Sequence, residues 1–470
     1  MRKLLLALLL LLACGCALFA PSYIRYQRTR GATPPGVRLA GYDFSQADTA
    51  TVASTLNRVY GEPAAIHYAD QRIFLRPQMV GFQVDVEAML AEARQHERLD
   101  HLLRIWTFEA LHRDQPPVEI RLRYHLDRDA LDNWLADIAV RYDRPPTPAR
   151  ALRTNFTIIP GLPGRQMDLP ASRARVIAAL TDPRTRTANL VLRETAPPPA
   201  NIALLTELLQ ARIAQFPGVA GLFLHHIPTG DEAAINADVA FSAMSTMKIA
   251  LLAEVYRKLD AAPDATITAQ ITETIALAGN RAANELLALI GDGSATDGVR
   301  IFNGSLRTLG LRNSFMAAPY DQPGPRVATT ANRQGQPSTR PDPYVQTTPR
   351  EMGLMLSMIV ACGQGGGALL AAFPNQLTQA ECQQLLDLMR LNDVTALIVS
   401  GLPKGVRAIH KHGYVAETHG DVAAIWGPVG PYVLSVFLHR PGWLEWDFSS
   451  ATMGELSRIA WDYFALVSRQ

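Results

Sequence analysis

Phe241-Ser242-Ala243-Met244-Ser245-Thr246-Met247-Lys248 runs directly into the apolar segment Ile249 to Leu259. The segment is long and apolar enough to form a buried helix, and Ser245 stands at its start. Residues three apart share a helix face, so the Lys248 amine can reach the Ser245 oxygen. A serine is a poor nucleophile until a base takes its proton. A lysine serves as that base only when burial or a second cation lowers its pKa. The head of a helix also stabilises developing negative charge and offers the Ser245 amide to an oxyanion. A Ser-x-x-Lys pattern alone equally fits a capping serine and a solvated lysine, so the flanking sequence decides between the two.

Before the motif, Ile202 to Phe216 reads as a helix and Val219 to Ile227 as a strand. A turn follows at Pro228-Thr229-Gly230-Asp231, then a return strand from Glu232 to Asn236. After the motif come Ala278-Gly279-Asn280-Arg281-Ala282-Ala283-Asn284-Glu285-Leu286-Leu287, then Thr347-Thr348-Pro349-Arg350-Glu351-Met352. Lys411-His412-Gly413 lies on an expected strand from Arg407 to Val415. Asp421 to Trp426 and Tyr432 to Leu438 read as two more strands, and Gly454 to Val467 as a closing helix.

This order resembles the class A β-lactamases and related penicillin-binding proteins, whose motifs run Ser-x-x-Lys, Ser-Asp-Asn, Lys-Thr-Gly. The matching positions are Ser245 to Lys248, Ala278 to Asn280, and Lys411 to Gly413. The Thr229-Gly230 hairpin, the Asn280 to Leu287 run and the Thr347-Thr348-Pro349 helix start resemble that family as well. The resemblance covers roughly residues 201 to 470. It implies an antiparallel sheet with helices on both faces and the Ser245 helix in the middle. It also implies catalytic roles for Ser245, Lys248, Lys411 and Asn280. Lys411 beside Ser245 would lower the Lys248 pKa by like-charge repulsion and attract an anionic substrate. His412, Gly413 and Tyr414 would border the substrate, and the Tyr414 amide would complete an oxyanion hole with that of Ser245.

Three departures from the family pattern bear on activity. Ala278 stands where the family has a proton-relaying serine. His412 replaces the hydroxyl residue of the third motif, where it could bind a substrate carboxylate or shuttle a proton near neutral pH. Leu311 to Gln346 contains no Glu, the family's water-activating residue, and its only acids are Asp321 and Asp342. An acyl-enzyme formed with a β-lactam is therefore expected to be long-lived. The expected function is a serine hydrolase acting on cell-wall peptide or another small amide or ester. The alternatives are a true β-lactamase and a non-catalytic module that binds peptidoglycan or a partner. No organic cofactor is required. His410, His412 and His419 imitate a zinc set, but no acid or cysteine joins them at ligand spacing, so no metal is expected. Trp443 and Trp446, after the Pro441-Gly442 turn, either line the cleft or close the core.

Upstream, Gly81-Phe82-Gln83-Val84-Asp85-Val86 recurs as Gly164-Arg165-Gln166-Met167-Asp168-Leu169. Each copy follows a strand-like run and precedes a helical one, so Asp85 and Asp168 read as helix caps. Residues 37 to 194 are thus an α+β region of duplicated character. The strand, Gly-x-Gln-x-Asp turn and helix resemble a peptidoglycan-binding domain found beside some cell-wall transpeptidases. Thr195-Ala196-Pro197-Pro198-Pro199-Ala200 is a stiff linker to residues 201 to 470.

At the N-terminus, Met1-Arg2-Lys3, the apolar run Leu4 to Leu12 and the small residues around Cys14 and Cys16 follow the order of an export signal. Residues 1 to 20 are expected to be a signal peptide or a membrane or lipid anchor, and 21 to 36 a spacer. Lipidation of Cys14 or Cys16, an uncleaved anchor and free secretion all place the body outside the cytoplasm. In that compartment Cys362 and Cys382 are expected to pair, the alternative being two small buried hydrophobes. A net charge of +2 over 470 residues shows no broad footprint for nucleic acid.

Overall fold

The computed structural model describes residues 36–95, 117–259 and 261–470, together with 32–34 and, before them, 13, 15–17, 20, 21, 23 and 24. The expected export signal over residues 1–12 and Cys14 lie outside the described residues, and Cys16 is exposed and unpaired. Among the described residues no helix is long and apolar enough to cross a membrane.

The chain forms two compact units. The first comprises residues up to Pro146 and Pro163–Ala196, the second Thr147–Leu162 and Pro197–Gln470. This division departs from the expected one in one place: residues 147–162, expected within the first region, fall in the second unit. The hairpin of Arg150–Leu152 with Thr157–Ile159 belongs to the second unit. The reason is burial: Ala151, Phe156 and Ile158 pack on the cluster beneath the C-terminal helix.

In the first unit, short strands and helices enclose a core that includes Leu56, Leu131, Leu135 and Val176. The duplicated pattern is visible there. Gln83–Val84 precedes the helix Val86–Gln95, and Gly164–Met167 precedes the helix Leu169–Thr181. Asp85 accepts the Ala88 amide at 2.9 Å and Asp168 the Ala171 amide at 3.1 Å. Both carboxylates satisfy helix amides that lack an intrahelical partner.

The second unit is built on a five-stranded antiparallel sheet. Its spatial order is Glu232–Ile235, Val219–His226, Gly430–His439, Thr418–Gly427, Ala408–Val415. The three long central strands are buried almost end to end, because helices cover both faces. Alternate residues feed two cores. Val422, Ala424, Val433 and Phe437 face the cluster containing the helices Lys248–Lys258 and Pro349–Gly363. Ala423, Ile425, Leu434 and Val436 face the helices Ile202–Ile213 and Trp446–Val467. A strand's period of two sends successive side chains to opposite faces, and here both faces are apolar.

Two devices hold the helical side together. Gly298 permits one close crossing, since a Cβ there would meet the Leu287 carbonyl oxygen at 1.8 Å. Cys362 and Cys382 form a disulfide joining the helices Pro349–Gly363 and Gln379–Met389, with Cα atoms 5.8 Å apart. The bridge closes a segment of sequence separation 20. A loop of that order is worth about 3 kcal/mol through the entropy it removes from the unfolded chain. Replacing both cysteines by serine is expected to lower stability by about that amount, read as a lower urea midpoint with an otherwise native circular dichroism spectrum. An unchanged midpoint would show that the bridge constrains nothing.

Candidate active site

Ser245 lies in a single 3-10 turn, Met244–Met247, which passes into the α-helix Lys248–Lys258. The residue before it, Met244, holds a left-handed φ of +54°. Such a conformation costs a side chain about 1–3 kcal/mol and persists where neighbours enforce it. Here the Tyr320 hydroxyl donates to the Met244 carbonyl at 3.1 Å. From the other side, Gly413 of the edge strand presses close, as a Cβ there would lie 2.7 Å from the Ser245 amide nitrogen and 2.8 Å from the Met244 Cβ. Only a glycine lets the edge-strand backbone come so near.

Every residue from Lys248 to Tyr256 is buried, and Lys248 has no exposed surface. Its Nζ lies 3.2 Å from Ser245 Oγ, 2.5 Å from the Ala278 carbonyl and 2.9 Å from Asn280 Oδ1. Tyr320 places its ring face 4.8 Å from the same nitrogen. Burial pushes the Lys248 pKa down to about 7, and the charge of Lys411 pushes in the same direction, while Asp321 opposes. A neutral amine has two hydrogens and one lone pair. The Ala278 and Asn280 oxygens take the two hydrogens, which leaves the lone pair for the Ser245 hydroxyl.

Lys411 is also fully buried and points to the same side, where its Nζ donates to the His412 carbonyl at 3.3 Å. Burial lowers its pKa to about 8 against the attraction of Asp421. Asp421 is itself fixed by the His410 ring at 2.9 Å and the Ile398 amide at 3.1 Å.

His412 does not share the position of Lys411. Neighbouring strand residues point to opposite faces, and the His412 ring stacks at 6° to the Tyr414 ring and meets Trp446 edge-on. Burial first, then Lys411, drives its pKa down to about 4. It is thus neutral near pH 7 and is not the proton shuttle that its sequence position suggested. His410 binds Asp421 and His419 binds Ser449, while Trp443 is exposed and Trp446 half-buried.

Ser245 opens on a hollow of about 430 Å³ lined also by Asn280, Tyr320, Asp321, Asp342, Tyr414 and Val415. Four of these, Tyr320, Asp321, Asp342 and Val415, were not singled out as site residues by sequence. Asn280 Nδ2 donates to both Asp321 oxygens, at 3.2 and 3.0 Å. Asn284 holds the loop through two bonds to the Tyr320 backbone, at 3.0 and 2.8 Å. The available signal was that Asp321 is one of only two acids between Leu311 and Gln346.

A serine at a helix head, an adjacent buried amine and an edge strand beside it make up the fold of a serine hydrolase of the β-lactamase and penicillin-binding type. A family model described as the β-lactamase enzyme family matches residues 204–272 and 261–464, together more than half of the chain. The chain belongs to that family. A second model, for a peptidoglycan binding domain, matches residues 106–188. No curated protein sequence matches the chain. Among solved structures, it is similar to an acyl-enzyme complex of a PBP-A variant with penicillin G, at 21% identity and a TM-score of 0.43, covering 57% of this chain and 99% of that one. An ancestral class A β-lactamase gives 24% and 0.42, over 55% and 98% of the two chains. A β-lactamase from Xanthomonas campestris pv. campestris gives 21% and 0.42, over 55% and 98%.

The proximity of the two lysines has a direct readout. Lys411→Met removes a charge and keeps most of the bulk, so the Lys248 amine is expected to titrate at higher pH than in the native protein. Site-resolved amine NMR across pH 5 to 10 would measure it. An unmoved Lys248 titration would show that the two charges do not feel each other.

Proposed function

We propose that the protein is an extracytoplasmic serine hydrolase that forms an acyl-enzyme at Ser245 on cell-wall peptide or another small amide or ester, and turns over β-lactams slowly. The observation that carries the reading is the buried Lys248 amine, whose pKa near 7 leaves it substantially unprotonated at neutral pH within reach of the Ser245 hydroxyl.

The steps follow from that amine. Ser245 Oγ attacks the substrate carbonyl carbon as its proton passes to Lys248 Nζ. The carbonyl oxygen becomes an oxyanion facing the Ser245 amide, with the Tyr414 amide as the second donor. Collapse of the tetrahedral species breaks the bond to the leaving nitrogen or oxygen, which takes the proton that Lys248 holds. Ala278 has no hydroxyl to carry that proton, so the amine delivers it directly. Water then attacks the acyl carbon, the bond to Ser245 Oγ breaks, the acyl group leaves as a carboxylic acid carrying the water oxygen, and a water proton restores the Ser245 hydroxyl. Lys411 supplies the positive field that holds a substrate anion, and Asn280 orients Lys248.

The location rests on two supports. The disulfide Cys362–Cys382 fits an oxidising compartment, and the N-terminal sequence has the order of an export signal, which leaves the body lipidated at Cys14 or Cys16, held by an uncleaved anchor, or secreted. The peptidoglycan binding match supports a cell-wall polymer as partner.

One observation favours a second reading, faster β-lactam hydrolysis. Asp321 lines the hollow beside Ser245 and is tied to Asn280, where a carboxylate could activate the deacylating water. Turnover of nitrocefin separates the two readings. Asp321→Asn would trap the acyl-enzyme only under the second.

A fluorescent penicillin is expected to label the wild-type protein and not Ser245→Ala, and the label is expected to persist. The labelling rate should rise as pH passes about 7, where Lys248 loses its proton, and fall above about 8, where Lys411 loses the charge that holds the substrate. No labelling at any pH would remove the acyl-enzyme and leave a non-catalytic binding module. Gly413→Ala provides an independent check. Its Cβ would displace the Ser245 amide, and a shift of about 1 Å at the reacting atoms costs roughly a hundredfold in rate. Unimpaired labelling of that variant would place the chemistry elsewhere.

A further inference from the structure

The edge strand Ala408–Val415 borders a second hollow, of about 600 Å³, separate from the one that Ser245 opens on. Tyr414 and Val415 line both, so the two adjoin at the end of the strand. The walls of the second hollow are aromatic. Trp446 meets the Tyr414 ring at 71° and 5.5 Å, and the His412 and His419 rings at 5.8 and 5.6 Å. Each ring is braced by another, so the shape is set before a ligand arrives. Trp443 and Tyr414 stand at the mouth, 58% and 62% exposed. Two open aromatic side chains on one hollow form a contiguous apolar patch, and such patches mark contact sites.

The surroundings select the occupant. The hollow is open and broad, which suits a flat ring better than an extended alkyl chain. Glu445 stands exposed at its rim and would repel an anion. The neutral His412 adds no charge. What fits is a neutral ring with one apolar face to lie on indole or phenol and a polar edge to meet a carboxylate and imidazoles. A pyranose has those two sides, with axial C–H groups on its face and hydroxyl and acetamido groups around its edge.

We propose that this hollow is a sugar subsite that seats a glycan ring of the substrate while the attached peptide crosses Tyr414 and Val415 to Ser245. The assignment rests on the reading that Ser245 acts on cell-wall peptide, and it narrows the substrate to peptide still joined to its glycan. Trp443 is then a specificity-determining residue remote from the chemistry.

The test is made in full-length Ser245→Ala protein, which cannot acylate, so its outcome does not depend on turnover. Two probes are compared by calorimetry: a stem peptide, and the same peptide joined to its N-acetylglucosaminyl-N-acetylmuramoyl disaccharide. The glycan-linked probe is expected to bind at least about tenfold tighter, the scale of one aromatic anchor. Adding Trp443→Ala should bring the ratio of the two affinities close to one, and Trp443→Phe should restore most of it. Equal affinities in the Ser245→Ala protein would overturn the subsite, and so would a ratio that Trp443→Ala leaves unchanged, since the sugar would then be held elsewhere. Preference for an apolar aryl amide over the glycan-linked probe would overturn it in favour of an apolar ligand. Failure of penicillin labelling in the native protein would count against Ser245 chemistry alone, and the affinity ratio would still read the subsite.

Discussion

The active-site side of the second unit depends on the cost of keeping an ammonium group in a sealed interior. Lys248 sits on a helix whose first nine residues are all buried. A charge there lacks water, and Lys411 adds a second charge of the same sign. The fold relieves the cost by letting the amine go neutral near physiological pH, and a neutral amine beside a serine hydroxyl is a base. The acceptors around Lys248 finish the arrangement by occupying its hydrogens. Burial thus supplies the reactivity, and the hydrogen bonds supply its direction.

The loss of the central serine changes how that base must work. Ala278 offers a backbone carbonyl in place of a hydroxyl, and its own φ of +52° turns that carbonyl toward Lys248. A carbonyl can hold the amine but cannot pass on a proton. In the proposed mechanism both proton transfers therefore fall to one nitrogen. That is chemically sufficient when the leaving group departs on the same side as the amine. It is less forgiving of poor leaving groups than a relay through a second hydroxyl.

The sheet and its helices were legible because their signals are local. Alternating apolar residues, caps and turn residues mark each element, and the order of three short motifs places them in one fold. Ser245 and Lys248 could be paired from a spacing of three. Lys411 was legible through its motif, although its full burial is set by packing that no motif encodes. Other features were not local. The hairpin around Thr157 joins the second unit because of three apolar side chains whose partners lie far along the chain. Tyr320 and Asp321 reach the site on a loop without periodicity, held by Asn284, and no spacing rule connects positions 36 and 41 residues apart. His412 was placed in the right strand, and its role was misjudged because the alternation of that strand turns the ring away from Lys411.

That alternation carries a consequence for the whole edge strand. Lys411 and Gly413 lie toward the Ser245 turn, one acting on Lys248 through its charge and the other closing on the Ser245 amide by having no side chain. His410, His412 and Tyr414 form a ladder of rings on the opposite face, with centroids 6.2 and 6.5 Å apart. A single strand therefore presents chemistry to one side and an aromatic wall to the other. Placing His412 where the family has a small hydroxyl residue adds to that wall, because it supplies one of the three rings that Trp446 packs against, beside Tyr414 and His419. The departure that cost the site a substrate-binding hydroxyl supplied the hollow with part of its frame.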